Sequence, residues 1–249
     1  DNFPTLLLVE DNADLIAYVK NLLADRYQML VARDGQEGIA LATEQVPDII
    51  VSDVMMPEMD GFEMCERLKQ DLRTSHIPII LLTAKSTQAD KIQGLKYGAD
   101  AYLAKPFNEQ ELGIRSKNLI DLRKSLQRRF ALGEQALLAS NDLENQFLND
   151  ASAFVKSQLD NAQLSIPEMA QAMAMSQTQL YRKLKALTAQ TPSQLVRQVR
   201  LEEGKRLLRK SELTIAEIAY AVGFSDPNYF SRTFNDAFGK SPSDYRKLG

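Results

Sequence analysis

Glu10, Asp11, Asp53, Thr83 and Lys105 each stand at the end of a short apolar run. Carboxylates brought together repel strongly unless a cation neutralises them. An all-oxygen cluster with room for water suits Mg²⁺ better than zinc or copper. A hydroxyl and an ammonium beside such a cluster are what a transferred phosphoryl group needs: Lys105 neutralises its charge and Thr83 donates a hydrogen bond. Asp53 is then the nucleophile, forming an aspartyl phosphate. A single acid at a strand end is more often a helix cap or a solvated carboxylate. The five together, in strand order, point to chemistry.

The elements that must position them alternate. TLLLVE, QMLVAR, DIIVSD, IPIILLTA and AYLAKPF read as strands. Between them lie the helical patterns LIAYVKNLLADRY, DGQEGIALATEQ, GFEMCERLKQD and QADKIQGLKYGA, and a fifth helix starts near Asn108. This order predicts an α/β fold, a five-stranded doubly wound parallel sheet. Continuous apolar strands are expected where both faces of a sheet are covered. Ligands of such sheets sit at the carboxyl ends of the strands, where the strand order reverses.

Composition narrows the classes. The 249 residues suffice for two domains, with 44% apolar and 25% charged residues. One cysteine, Cys65, and one histidine, His76, allow neither an internal disulfide nor a zinc site. No apolar run approaches the ~20 residues of a membrane span, which leads us to expect a cytoplasmic location. A chain starting at Asp1 is also compatible with a piece of something longer. The net charge of −3 is uneven: from Asp160 onward there are 13 Lys or Arg against 9 Asp or Glu. An acidic front and a mildly basic back suggest that only the back meets nucleic acid.

VEDN, SDVMMPEMDG, LLTA and GADAYLAKPF resemble a response-regulator receiver domain, which implies a flavodoxin-like fold for residues 1–123. By that resemblance Asp53 is the phosphoacceptor, Glu10 and Asp11 the acidic pair holding Mg²⁺, and the Met55 carbonyl a further ligand. It also implies Thr83 and Tyr102 as a switch pair, Lys105 as the phosphate-binding lysine, and a cis Lys105–Pro106 bond. Glu10 departs mildly from the more usual Asp. Phosphatases that phosphorylate an aspartate carry a second Asp two residues on; here that position is Met55, so the site is expected to switch rather than turn over.

From Asn108 a long helical pattern follows, with Leu112, Leu119, Ile120 and Leu122 expected on the sheet and Arg115, Lys117, Arg123, Lys124, Arg128 and Arg129 in solvent. Residues 124–143 form a helical connector, either a solvated linker or a helix that couples domains or pairs subunits. A further helix spans roughly Leu143 to Leu159.

SIPEMAQAMAMS and TIAEIAYAVGFS repeat at an offset of 49 residues, becoming 50 beyond the turn around Pro227. Each copy reads as helix, tight turn, helix. Ala170 and Ala219 permit close crossing, and Gly223 can take the positive φ such a turn requires; at Ala174 that φ would cost about 1 kcal/mol, so either that turn relaxes or the first unit is slightly looser. Leu180, Leu184 and Leu187 form one inner stripe, and Phe230, Phe234 and Phe238 the other. The opposite faces carry Gln177, Thr178, Gln179, Arg182 and Lys185, and Asn228, Tyr229, Arg232 and Asn235. Arg, Asn and Gln read base edges in the major groove, and hydroxyls hold phosphates. Ser193 to Leu208 reads as one helix that could hold two readers near one helical repeat of DNA, ~34 Å apart.

IAEIAYAVGFSDPNYFSRTF and FGKSPSDYR resemble the AraC-type double helix-turn-helix DNA-binding domain, over residues 144–249. The combination is similar to the cytoplasmic end of hybrid two-component proteins. It implies a histidine kinase partner, double-stranded DNA, a homodimer on activation and a role in transcription regulation rather than an enzyme. The alternative is a phosphorelay or protein-interaction receiver whose helical tail docks a partner protein.

Overall fold

A computed structural model describes residues 3–84, 97–131 and 142–247. Residues 88–96 of the fourth helix expected over QADKIQGLKYGA and residues 132–141 of the connector lie outside the described residues.

The front of the chain is an all-parallel sheet of β1 (Thr5–Val9), β2 (Gln28–Ala32), β3 (Ile49–Asp53), β4 (Ile79–Thr83) and β5 (Ala101–Ala104), in the order β2-β1-β3-β4-β5. Its apolar runs are continuous rather than alternating because every residue of β3 and β4 is buried, covered on both faces. Leu6 and Leu8 face one layer and Leu7 and Val9 the other, the period-two alternation of a strand. Each fully buried leucine contributes about 1.5–3 kcal/mol.

Helices α1 (Ala13–Leu23) and α2 (Gly35–Gln45) start shortly after strand ends, and α3 (Gly61–Gln70) after a longer loop, each on an acid or amide cap. Asn12 accepts from the amides of Asp14 and Leu15, Asp34 from those of Gln36 and Glu37, and Asp60 from that of Glu63. The all-parallel order leaves the last residues of the strands on one edge of the sheet.

Helix α4 (Glu109–Ala131) buries Leu112 and Ile120 with Leu119 packed beside them. Two expectations for it fail. Leu122 is 60% exposed, because it falls off the stripe set by Leu112 and Ile120. Arg123 is drawn out of solvent by Glu144, 3.5 Å away at the start of α5 (Asp142–Ser157).

His76, just before β4, is fully enclosed, and neither ring nitrogen has a hydrogen-bond partner among the described residues. Burial, and then Arg123, Lys183 and Lys69, hold its pKa well below the ordinary value. The folded protein therefore binds fewer protons than the unfolded chain as pH falls through ~6.5, and stability declines there by up to about 1.4 kcal/mol per pH unit. We expect His76→Gln to flatten the fall in urea midpoint between about pH 7 and pH 5.5. An unchanged slope would assign that fall to other groups.

The chain divides into two compact units, Asp1–Asn145 with Arg182–Ala189, and Gln146–Tyr181 with Gln190–Gly249. The repeated text becomes repeated structure. Helices α6 (Ile166–Ala172) and α9 (Ile215–Ala221) both begin on capping boxes, Ser165 with Glu168 and Thr214 with Glu217. Each ends in the same turn: the Met175 amide donates to Ala170 and the Phe224 amide to Ala219, both at 2.9 Å. Ala174 and Gly223 take positive φ of 52° and 80° at matching places. Helices α7 (Gln177–Thr188) and α10 (Pro227–Phe238) follow, twelve residues each. Ala189 and Gly239, both left-handed, close them.

The bar between the copies, α8 (Pro192–Lys210), is three residues longer than the expected sixteen: Thr191 caps it with Pro192 as its first residue, and it runs on through Arg209 and Lys210 to its cap at Ser211. Its 19 residues rise about 28 Å at ~1.5 Å each. Helix α11 (Pro242–Arg246) begins the same way, on Ser241 and Pro242.

Candidate functional site

Strand order reverses between β1 and β3, and the acids gather there. Glu10, immediately after β1, is 1% exposed; Asp53, the last residue of β3, is 7% exposed; Asp11 is open to solvent. One carboxylate oxygen from each lies within 4.8 Å of the others. Lys105, just beyond β5, sits 3.0 Å from Glu10 Oε2 and 3.0 Å from Asp53 Oδ1. The peptide bond that follows it, to Pro106, is cis.

Asp53 Oδ1 also accepts from the Val54 amide at 2.8 Å. Glu10 Oε1 accepts from the Asn12 amide at 3.1 Å. Burial raises the Glu10 pKa most; the bonds from Lys105 and Asn12 oppose it, while the Asp53 charge adds to it. These carboxylates are crowded and desolvated. Hard oxygen donors of that kind, with one ligand open to water, fit Mg²⁺.

Thr83, ending β4, is 9% exposed. Tyr102 on β5 packs against the layer under α2 and α3, and its hydroxyl is buried with no hydrogen-bond partner among the described residues. Burial raises its pKa. Met55 is 73% exposed, so an apolar side chain borders the site where a second acid would be needed for turnover.

Gly61, the first residue of α3, escaped the sequence reading. A Cβ there would lie 2.2 Å from the Asp53 carbonyl oxygen, so its hydrogen lets α3 press on the strand end that carries Asp53. The available signal was a glycine at a helix start directly after a capping Asp.

On the repeated helices, Asn228, Tyr229, Arg232 and Asn235 are all exposed on α10 while Phe230 and Phe234 are buried. On α7, Gln177, Thr178 and Lys185 are exposed. Gln179 is half-buried and exchanges capping bonds with Ser176 at 2.9 and 3.2 Å. Arg182 is also half-buried: within the first unit it donates to the Glu44 carbonyl at 2.9 Å and to Gln45 Oε1 at 3.2 Å. Lys183 beside it is fully buried, which lowers its pKa to about 8.

The sheet and its carboxyl edge define a response regulator receiver domain, which matches over residues 6–116, and residues 169–248 match a helix-turn-helix domain. The chain therefore joins a response regulator receiver domain to an AraC-type helix-turn-helix domain. Histidine kinase P4 of Formosa agariphila is 38% identical over 245 residues, covering 97% of this chain but 18% of that protein. The DNA-binding dual master transcriptional regulator RpaA of Synechocystis is 42% identical over 120 residues, 47% of this chain and 49% of that one. Among solved structures, a putative response regulator from Chloroflexus aurantiacus is 36% identical with a TM-score of 0.47, covering 48% of this chain and 99% of that one. This chain thus spans less than half the length of each of the two curated relatives named. No helix among the described residues is long and apolar enough to cross a membrane.

Proposed function

We propose that this chain is a phosphorylation-controlled, sequence-specific DNA-binding regulator acting in the cytoplasm, with residues 1–123 as input, 124–143 as connector and 144–249 as output. The observation that carries it is the Glu10–Lys105–Asp53 constellation on one chain with a twice-written reading unit.

The donor is a phosphohistidine of a histidine kinase. Asp53 Oδ1 is held by the Val54 amide and Lys105, so Oδ2 attacks phosphorus. The P–O bond forms as the P–N bond breaks, and the imidazole leaves. Lys105 is placed to stabilise the charge on the phosphoryl oxygens, and Thr83 to donate a hydrogen bond to one of them. Glu10, Asp11, Asp53 and the Met55 carbonyl would hold Mg²⁺, which when bound neutralises the crowded carboxylates and the incoming phosphoryl charge. With no acid at Met55 to activate water, the acyl phosphate is lost slowly and the chain acts as a switch, not an enzyme.

Thr83 moving onto the phosphoryl group frees space for Tyr102, whose buried hydroxyl has no hydrogen-bond partner among the described residues. That reshapes the face of β5 and α4 and favours pairing of two chains, so that tandem DNA sites are bound with a gain in effective concentration. The output residues are Gln177, Thr178, Gln179, Arg182 and Lys185 on α7, and Asn228, Tyr229, Arg232 and Asn235 on α10.

Binding to a duplex enriched from a random library tests this. Affinity should fall steeply as salt rises, through counterion release. Arg232→Ala should cost ~1–3 kcal/mol with relaxed preference at one base position. A weak, salt-insensitive interaction without sequence enrichment would instead support the protein-docking alternative.

A further inference from the structure

One cation in the helical unit is bound to backbone carbonyls of two distant segments. Arg200, half-buried in the middle of α8, donates from Nη1 to the Gly223 carbonyl at 3.0 Å and from Nη2 to the Asn161 carbonyl at 2.6 Å. Gly223 is the turn residue of the second copy. Asn161 lies in the turn that leads into α6, the first helix of the first copy, and its carbonyl also accepts from the Leu164 amide at 3.1 Å. One guanidinium therefore ties the turn of one copy to the entry of the other, from the bar between them.

The packing around this tie is tight. A Cβ on Gly223 would lie 2.3 Å from the Leu159 carbonyl oxygen and 2.7 Å from Arg200 Cζ. Glycine is thus needed twice over, for its φ of 80° and for the close approach of the end of the preceding segment. Ala174, the matching residue of the first copy, has a side chain and an exposed position, so the two turns are not equivalent. Charge-assisted bonds to two carbonyls are strong and directional, and a planar guanidinium fixes their mutual angle. Lysine could reach one carbonyl but not hold both in that fork.

We propose that Arg200 is a positioning residue that sets the separation and phase of the two DNA-reading units. It touches no base or phosphate itself. This rests on the reading of α7 and α10 as DNA readers and goes beyond it, because it predicts how tolerant the protein is of the distance between half-sites. One inserted base pair turns the second half-site by about 35° relative to the first. A stapled pair of readers cannot follow that rotation, whereas an unstapled pair can at some cost in affinity.

The test uses the full chain and a duplex enriched from a random-sequence library by the wild-type protein, together with versions of that duplex lengthened or shortened by one base pair between half-sites. Wild type should lose about tenfold in affinity for either altered spacing. Arg200→Met should bind the original duplex more weakly yet lose less than about threefold on changing the spacing, and Arg200→Lys should fall between. Circular dichroism and thermal melting establish that the variants are folded, and a merely destabilised protein would lose affinity equally on all three duplexes. If wild type enriches no sequence, the DNA-reading function itself fails. If it enriches a two-part site and the folded Arg200→Lys variant keeps the tenfold spacing penalty, the staple is overturned and the function stands.

Discussion

Asp53→Asn is expected to abolish phosphoryl uptake from a small-molecule donor such as acetyl phosphate while leaving the fold intact. The amide is nearly isosteric, and its oxygen can still accept the Val54 amide bond seen at 2.8 Å. It is not a nucleophile, so no acyl phosphate forms. Two opposing effects act on stability. Lys105 loses one of its two carboxylate partners, each at 3.0 Å, but keeps Glu10, and Glu10 loses the Asp53 charge that adds to its raised pKa. The balance should be within about 1.5 kcal/mol. Intact-mass spectrometry after incubation with donor and Mg²⁺ reads the first effect, and a urea titration reads the second. A variant that still gains a phosphoryl group would place the acceptor elsewhere.

Gly61→Ala carries the second large effect, and its sign is informative. In an ordinary helix the change stabilises by roughly 0.5–1 kcal/mol. Here the new carbon would meet the Asp53 carbonyl oxygen at 2.2 Å, Val54 Cα at 3.0 Å and the Asp53 carbonyl carbon at 3.1 Å. All three are backbone atoms of the strand end, with no flexible side chain to yield. Either α3 backs away or the end of β3 shifts, at about 3 kcal/mol, the upper part of the overpacking range. A displacement approaching 1 Å at Asp53 should also slow phosphorylation by about a hundredfold. Both losses should appear together, in the urea midpoint and in the rate of uptake. A variant as stable and as reactive as wild type would mean that the close contact does not position the acceptor.

The receiver site is legible in the sequence because a parallel sheet does the geometry. Whatever ends β1, β3, β4 and β5 shares one edge, so Glu10, Asp53, Thr83 and Lys105 could be placed together from strand order alone. The repeated helix-turn-helix is legible for a related reason: caps, turns and stripes are local, and the second copy checks the first. Ala174, whose turn the alignment with Gly223 left open between relaxing and straining, takes the positive φ of 52°.

What stayed hidden depends on contacts between distant segments. Arg123 looks like one more solvated cation on α4, since nothing local announces Glu144 twenty-one residues later. Leu122 looks like core because it is apolar and close to Leu119 and Ile120 in sequence, although it falls off their stripe. Lys183 sits among exposed polar residues of α7 and is nevertheless buried. Arg200 is bound to two backbone carbonyls, 23 and 39 residues away, and carbonyls leave no trace in a sequence. His76 shows the same limit, since enclosure on every side is a property of the assembled layers.

The most direct test of the account is the equilibrium affinity of the full chain for its enriched duplex, measured in Mg²⁺ with and without acetyl phosphate, for wild type and Asp53→Asn. The account predicts that phosphorylation tightens wild-type binding by at least about tenfold, as expected when pairing raises effective concentration, and leaves Asp53→Asn unchanged. Equal affinities for wild type with and without a phosphoryl group confirmed on Asp53 would contradict it.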